Sequence, residues 1–131
     1  MTLRSIGFFR ELRHGEPAGP SLRELVNSSP GPNETELVSF LRGGSLLATT
    51  GRLAHDVLEG ERNPSEVLAV LTDGVWMWPS DLAYYVERYH VRLPEDFVNH
   101  AARLAWTPPE ISRERLIELG SQVVRDVREG A

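Results

Sequence analysis

The chain has 131 residues and a mass of 14.7 kDa, the size of one domain that can bury roughly two-thirds of its unfolded-state surface. Its 40% hydrophobic and 25% charged residues are the balance of a globular protein, its formal charge of -5 works against nucleic-acid and anionic-membrane binding, and the lack of cysteine removes disulfides, thiolate nucleophiles and cysteine metal sites. All fourteen basic residues are Arg, which G+C-rich codon usage explains, and the lack of Lys removes Schiff-base, pyridoxal phosphate and P-loop chemistry.

Leu3, Ile6 and Phe9, with Phe8 and Leu12, fall on i+3 and i+4 rows and predict an amphipathic helix from Leu3 to His14, ending at Gly15. Breaker-rich stretches predict mobile loops near residues 15–20 and 27–33, around a short helical piece from Ser21 to Val26. Asn33 and Glu36 have capping-box spacing before a helix whose buried side is Leu37, Val38, Phe40 and Leu41, stopping at Gly43-Gly44. Residues 45–62 are ambiguous: Leu46-Leu47 suits a short strand, whereas Leu53, Val57 and Leu58 suit one helical face.

Asp73-Gly74 lies between two apolar runs, Val67–Thr72 and Val75–Trp78, and predicts a β-hairpin closed by a type I′ turn. Asn63-Pro64-Ser65-Glu66 is a competing helix start, and strand is preferred over 67–72. Trp76 and Trp78 share one face of the second strand and Val75 and Met77 the other, so something must cover both sides. Ser80 as N-cap and Asp81 in the first turn then open a helix with Leu82, Tyr85, Val86 and Tyr89 inward. Pro94-Glu95-Asp96 opens another, with Phe97, Ala101, Leu104 and Ala105 inward, ending near Trp106. Thr107-Pro108-Pro109-Glu110 opens the last, with Leu116, Ile117, Val123, Val124 and Val127 inward and Gly120 as an interruption. The sum is an α+β fold, one domain over residues 1–131, with helices packed around a small antiparallel hairpin.

Catalytic patterns are sparse. His14, His55, His90 and His100 lack i+4 partners and any His-Glu-x-x-His spacing, and no Gly-x-Ser-x-Gly elbow occurs. Gly43-Gly44-Ser45 lacks the rest of a phosphate loop. The acids Asp56, Glu59, Glu61, Asp73, Asp81, Glu87, Glu95 and Asp96 form neither an EF-hand nor an Asp-x-Asp pair, so no metal or cofactor is expected. The cluster Trp76, Trp78, Tyr84, Tyr85, Tyr89 and Trp106 reads as core, except that Tyr84 lies off the buried stripe. Tyr84 with Asp81, Glu87 and Asp73 is therefore the expected partner-binding set, an aromatic anchor ringed by acids for a basic protein.

The run from Leu71 through Thr72-Asp73-Gly74-Val75-Trp76-Met77-Trp78-Pro79-Ser80-Asp81-Leu82-Ala83-Tyr84-Tyr85 to Val86, then Tyr89-His90-Val91-Arg92-Leu93-Pro94 and Phe97, resembles a pattern in small proteins of G+C-rich actinobacteria. Some of these are similar to immunity proteins of bacterial polymorphic toxin systems. The resemblance implies a non-enzymatic cytoplasmic protein that binds and silences a cognate toxin, and it supplies no catalytic residue. Neither a bilayer-spanning apolar run nor a signal-peptide core is seen, which agrees with a cytoplasmic setting. Two other readings stand beside it. One is a small hydrolase or metal-dependent enzyme using His55, His90 or His100, and the other a structural or regulatory homo-oligomer closed by the aromatic cluster.

Overall fold

The computed structural model describes the backbone of residues 3–12, 15–55, 58 and 62–129, with side chains at 3–12, 15–49, 58 and 68–122. Over these residues the chain runs β1 (Arg4–Ser5), α1 (Leu22–Leu25), α2 (Glu34–Arg42), β2 (Ser45–His55), β3 (Arg62–Thr72), β4 (Trp76–Pro79), α3 (Leu82–Tyr89), α4 (Glu95–Arg103) and α5 (Arg113–Glu129). The α+β class matches the sequence reading, but the expected hairpin is the centre of a four-stranded mixed sheet in the order β1-β4-β3-β2. The β1–β4 pair is parallel and the other two are antiparallel. The ambiguous stretch after residue 45 is strand up to His55, and 62–72 is strand despite the helix start at Asn63.

The hairpin turn sits one residue further along than a type I′ turn on Asp73-Gly74 would. Thr72 pairs with Met77 and Asp73 N–H donates to Trp76 O at 3.2 Å, which makes Gly74 and Val75 the central pair. Gly74 takes a φ of 96°, while Asp73 stays out of the left-handed region and uses its side chain instead. Asp73 Oδ1 accepts the N–H groups of Val75 and Trp76 at 2.9 and 2.7 Å, closing the loop from inside.

The expected N-terminal helix does not form between Leu3 and Leu12; His14 lies outside the described residues. Arg4 and Ile6 instead donate to Val75 O and Met77 O at 3.0 Å, adding β1 to the sheet. Gly7 then takes a φ of 80°, incompatible with a right-handed helix. The pairing stops there for a chemical reason: the next bond of this parallel ladder needs the N–H of residue 79, which is proline. The apolar spacing still reports burial, since Ile6, Phe9 and Leu12 are all in the core.

The helices keep their predicted faces better than their predicted caps. Leu37, Val38, Phe40 and Leu41 of α2 are buried, yet Asn33 is left-handed at φ 57° and its side chain makes no capping bond. Ser80 is diverted into the sheet, its Oγ accepting Ala69 N–H at 2.9 Å, and Asp81 takes the cap position of α3 without a side-chain cap. The last helix starts at Arg113 instead of after Thr107, because Ser112 Oγ accepts Arg115 N–H at 3.2 Å. It runs through Gly120 without a break and buries Leu119, while Ile117, expected inward, is 60% exposed. The side chains of Val123, Val124 and Val127 lie outside the described set. At the end of α4, Trp106 N–H reaches Ala101 O and Ala105 N–H reaches Ala102 O, both at 2.9 Å. This paired closure puts Ala105 in the left-handed region at φ 55° and turns it to solvent, not inward as the helical pattern predicts.

On the core face of β4, Trp76 and Trp78 meet Phe97 of α4 edge-on at 5.3 and 5.7 Å, and Phe97 meets Phe40 of α2 at 5.8 Å. Trp78 is fully buried with its indole N–H on Leu41 O at 3.0 Å, so a large apolar side chain is placed without leaving a donor unsatisfied. Arg4, on the same face of β1, stacks 4.1 Å over the Trp76 ring and pairs with Asp96 at 2.6 Å. No described helix is long and apolar enough to cross a membrane.

Candidate functional site

The four residues expected to form a partner surface are not brought together as one. Asp73 and Asp81 are 3% and 2% exposed, so neither is a rim acid. Tyr84 is half-buried, edge-on to Tyr85 at 5.3 Å and to Tyr89 at 6.3 Å, and is part of the packing of α3. Of the set, Glu87 alone is exposed, and both its carboxylate oxygens are engaged by Arg42 at 3.2 Å. The correction has a physical cause at Asp73, where the hydrogen bonds that close the turn draw the carboxylate into the protein.

The histidines considered for catalysis are likewise taken by separate carboxylates. His100 Nε2 of α4 lies 2.7 Å from Asp73 Oδ2, a fully buried acid side chain that also holds the two turn amides. Because a carboxylate accepts only, the ring nitrogen facing it carries the hydrogen. The pair fastens α4 to the hairpin turn. His90, left-handed at φ 55° at the end of α3, places Nδ1 3.0 Å from both oxygens of Glu34 at the start of α2. These two histidines thus join different pairs of elements. The side chain of His55, together with His14, Asp56, Glu59 and Glu61, lies outside the described residues. Among the described residues no three His, Asp or Glu side chains gather as a metal site.

Among the described residues, a cleft on the other face of the sheet has the composition of a binding site. It has a volume of about 630 Å³ and lies over Val70 of β3 and Met77 of β4, walled by Phe8, Leu25, Leu93 and Pro94. Volumes of this order, mostly apolar with a few polar groups, are those of small-ligand and peptide pockets. The sequence requires a cover over Met77, and the chain provides one that stands off from the sheet and leaves this space.

The cleft walls are tied down from several directions. Glu16 N–H bonds to Phe8 O at 3.0 Å and Arg10 N–H to Pro20 O at 3.1 Å, which fixes the 15–20 loop against the segment after β1. Glu11 caps α1 from a distance: its carboxylate accepts Leu22 N–H at 2.8 Å, Arg23 N–H at 3.0 Å and the Ser21 hydroxyl at 2.8 Å. Burial opposes ionisation of Glu11, but these bonds outweigh it and hold the carboxyl below the usual glutamate range. On the opposite wall Arg92 N–H bonds to Leu25 O at 3.1 Å and Asn27 N–H to Tyr89 O at 3.1 Å.

Two charged residues line the cleft, Arg92 and the exposed Glu16. The guanidinium of Arg92 donates to His90 O and Ser29 O, both at 3.3 Å. Among the described residues it has no carboxylate partner, in contrast to Arg4, Arg42 and Arg115. Arg92 also borders a second, smaller cavity of about 240 Å³ beside Asn33, Leu37 and Val98. The chain matches no family model, no curated protein and no solved structure.

The cleft residues were not singled out by the sequence because they come from five separate segments, 5–9, 16–20, 25, 70–77 and 92–94. Two signals point to them in retrospect. Met77 is apolar on the strand face opposite the tryptophans, and Arg92 is a cation set between the apolar residues Val91 and Leu93.

Proposed function

We propose that this protein acts by binding another protein and that the cleft over Val70 and Met77 is where the partner enters. A form of this activity consistent with the sequence resemblance is the neutralisation of a cognate toxin in the cytoplasm of an actinobacterium. The observation that carries the reading is the cleft itself: an apolar space of about 630 Å³ with hydrogen-bonded walls and a cation at its side, on a sheet face that the sequence makes apolar. A preformed site of this kind keeps down the ordering cost that weakens most associations. The acids named from the sequence do not support an electrostatic rim, since Asp73 and Asp81 are both buried.

The enzymatic alternative has less support. His100 ties α4 to the hairpin turn through Asp73, and His90 ties the end of α3 to the start of α2 through Glu34, and this favours structural over catalytic use.

The test is site-specific photo-crosslinking in the native host. A benzoylphenylalanine at position 8, on the cleft wall, is expected to give a discrete adduct that disappears when Met77→Trp fills the floor. The same probe at position 84 is expected to give none. Adducts at 84 and none at 8 would overturn the assignment.

A further inference from the structure

We infer that two copies of this chain pair through α5, with the two helices antiparallel and a two-fold axis near Ser121. This face is separate from the cleft, since no cleft residue belongs to β2 or α5 and β2 lies at the end of the sheet away from β1.

Helix α5 rests on β2 along one side only. Leu119 is buried, and a Cβ at Gly120 would lie 3.5 Å from Leu47 O. The apolar residues extend past that contact. Ile117 is 60% exposed and Leu46 of β2 is 55% exposed, the most exposed of the large apolar side chains described, and both line one open trough of about 580 Å³ between the strand and the helix.

The stripe that carries Ile117 indicates what covers this patch. Positions 114, 117, 121, 124 and 128 follow at spacings of three and four, which places them along one line of the helix. The side chains of Glu114, Ile117 and Ser121 are all exposed. The stripe reads Glu, Ile, Ser, Val, Arg, with an acid at one end, a base at the other, an apolar residue inside each and a small residue at the centre. Laid antiparallel on a copy of itself, it sets position 114 of each chain opposite position 128 of the other, an acid against a base at both ends, and position 117 opposite 124. The same patch then serves both subunits, as a closed two-fold interface requires. A parallel pairing would set acid against acid and base against base.

The charge of the chain favours the same occupant. The net charge is -5, yet residues 113–129 hold four Arg and four acidic residues, so the acidic excess lies elsewhere. A basic partner is drawn to the other faces, whereas two acidic copies meet here with the least repulsion. A seam of about 21 Å, at about 1.5 Å per residue, buries less than the roughly 800 Å² per partner of a standard interface, so the dimer forms only at high protein concentration.

The experiment is sedimentation velocity of the full chain at about 10 μM and about 1 mM, the range in which a weak dimer assembles. The mass is expected to rise from the 14.7 kDa of one chain toward twice that value. Glu114→Arg and Arg128→Glu, each of which opposes like charges at both ends of the seam, are expected to weaken the dimer about fivefold, and the double variant Glu114→Arg/Arg128→Glu to restore it. Ile117→Asp is expected to abolish the dimer and to leave the melting temperature unchanged, because the side chain is exposed in one chain. A monomer at every concentration, a dimer that survives Ile117→Asp, or a double variant no tighter than the single ones overturns the inference.

Discussion

Asp73 tests most severely whether this hairpin turn is a structural junction or an exposed acidic tip. Its carboxylate accepts Val75 N–H at 2.9 Å, Trp76 N–H at 2.7 Å and His100 Nε2 at 2.7 Å, with the side chain fully buried. Asp73→Ala leaves two backbone donors without an acceptor, each costing about 1–3 kcal/mol, and removes a charge-assisted bond of about 1.5–3 kcal/mol. Since the three bonds share one carboxylate and are not additive, a total of about 4 kcal/mol is expected, a large part of the roughly 5–15 kcal/mol that holds a domain together. Asp73→Asn keeps one acceptor oxygen for the turn amides and should lose about half as much. Urea unfolding followed by tryptophan fluorescence reads this directly, because buried Trp76 donates its own backbone N–H to the Asp73 carboxylate. In a double-mutant cycle with His100→Gln, the coupling should be about 1–2 kcal/mol. A loss below about 1 kcal/mol for Asp73→Ala would refute the reasoning and return Asp73 to the role of a solvent-facing acid.

Three further outcomes are expected. Tyr85→Ala should cost about 3–4 kcal/mol and Tyr84→Ala about 1 kcal/mol in the same assay, because Tyr85 is fully buried and Tyr84 is half-buried; equal losses would contradict this ordering. Gly74→Ala should destabilise by about 1–2 kcal/mol through its φ of 96°, although a Cβ there meets only Ile111 at 3.5 Å, whereas Gly120→Ala in α5 should stabilise by about 0.5–1 kcal/mol. Glu11 has a carboxyl lowered by folding from 4.5, so the unfolded chain takes up its proton first as pH falls. Its stabilising effect is present above that value and is lost as pH drops through the folded-state value, and Glu11→Gln should flatten the fall in stability on the acid side.

The elements that were legible from sequence are those whose side-chain pattern depends on burial alone. The faces of α2 and α3, with Leu37, Phe40, Tyr85 and Val86 inward, follow from the need to bury one stripe, and no local competitor disturbs them. Ile6, Phe9 and Leu12 carried an equally good stripe and form no helix, because Gly7 turns the chain and the open edge of β4 accepts Arg4 and Ile6. Cap residues were read less well, since a hydroxyl or carboxylate takes whichever donor the tertiary fold presents. Ser80 serves Ala69 of β3, while the cap of α1 comes from Glu11, which no local spacing connects to Leu22. The candidate site was the least legible part. Ser5 and Met77 are far apart in sequence and meet because β1 joins the sheet beside β4, a pairing that the sequence did not predict, while Arg92 is held at the cleft by the bond of its N–H to Leu25 O.

The claim that the cleft is the working site is tested most directly by photo-crosslinking in the native host, with benzoylphenylalanine placed at position 8 on the cleft wall and, separately, at position 84 on α3. The account predicts a discrete adduct from position 8 that Met77→Trp abolishes, and none from position 84. Adducts from position 84 with none from position 8 would contradict it.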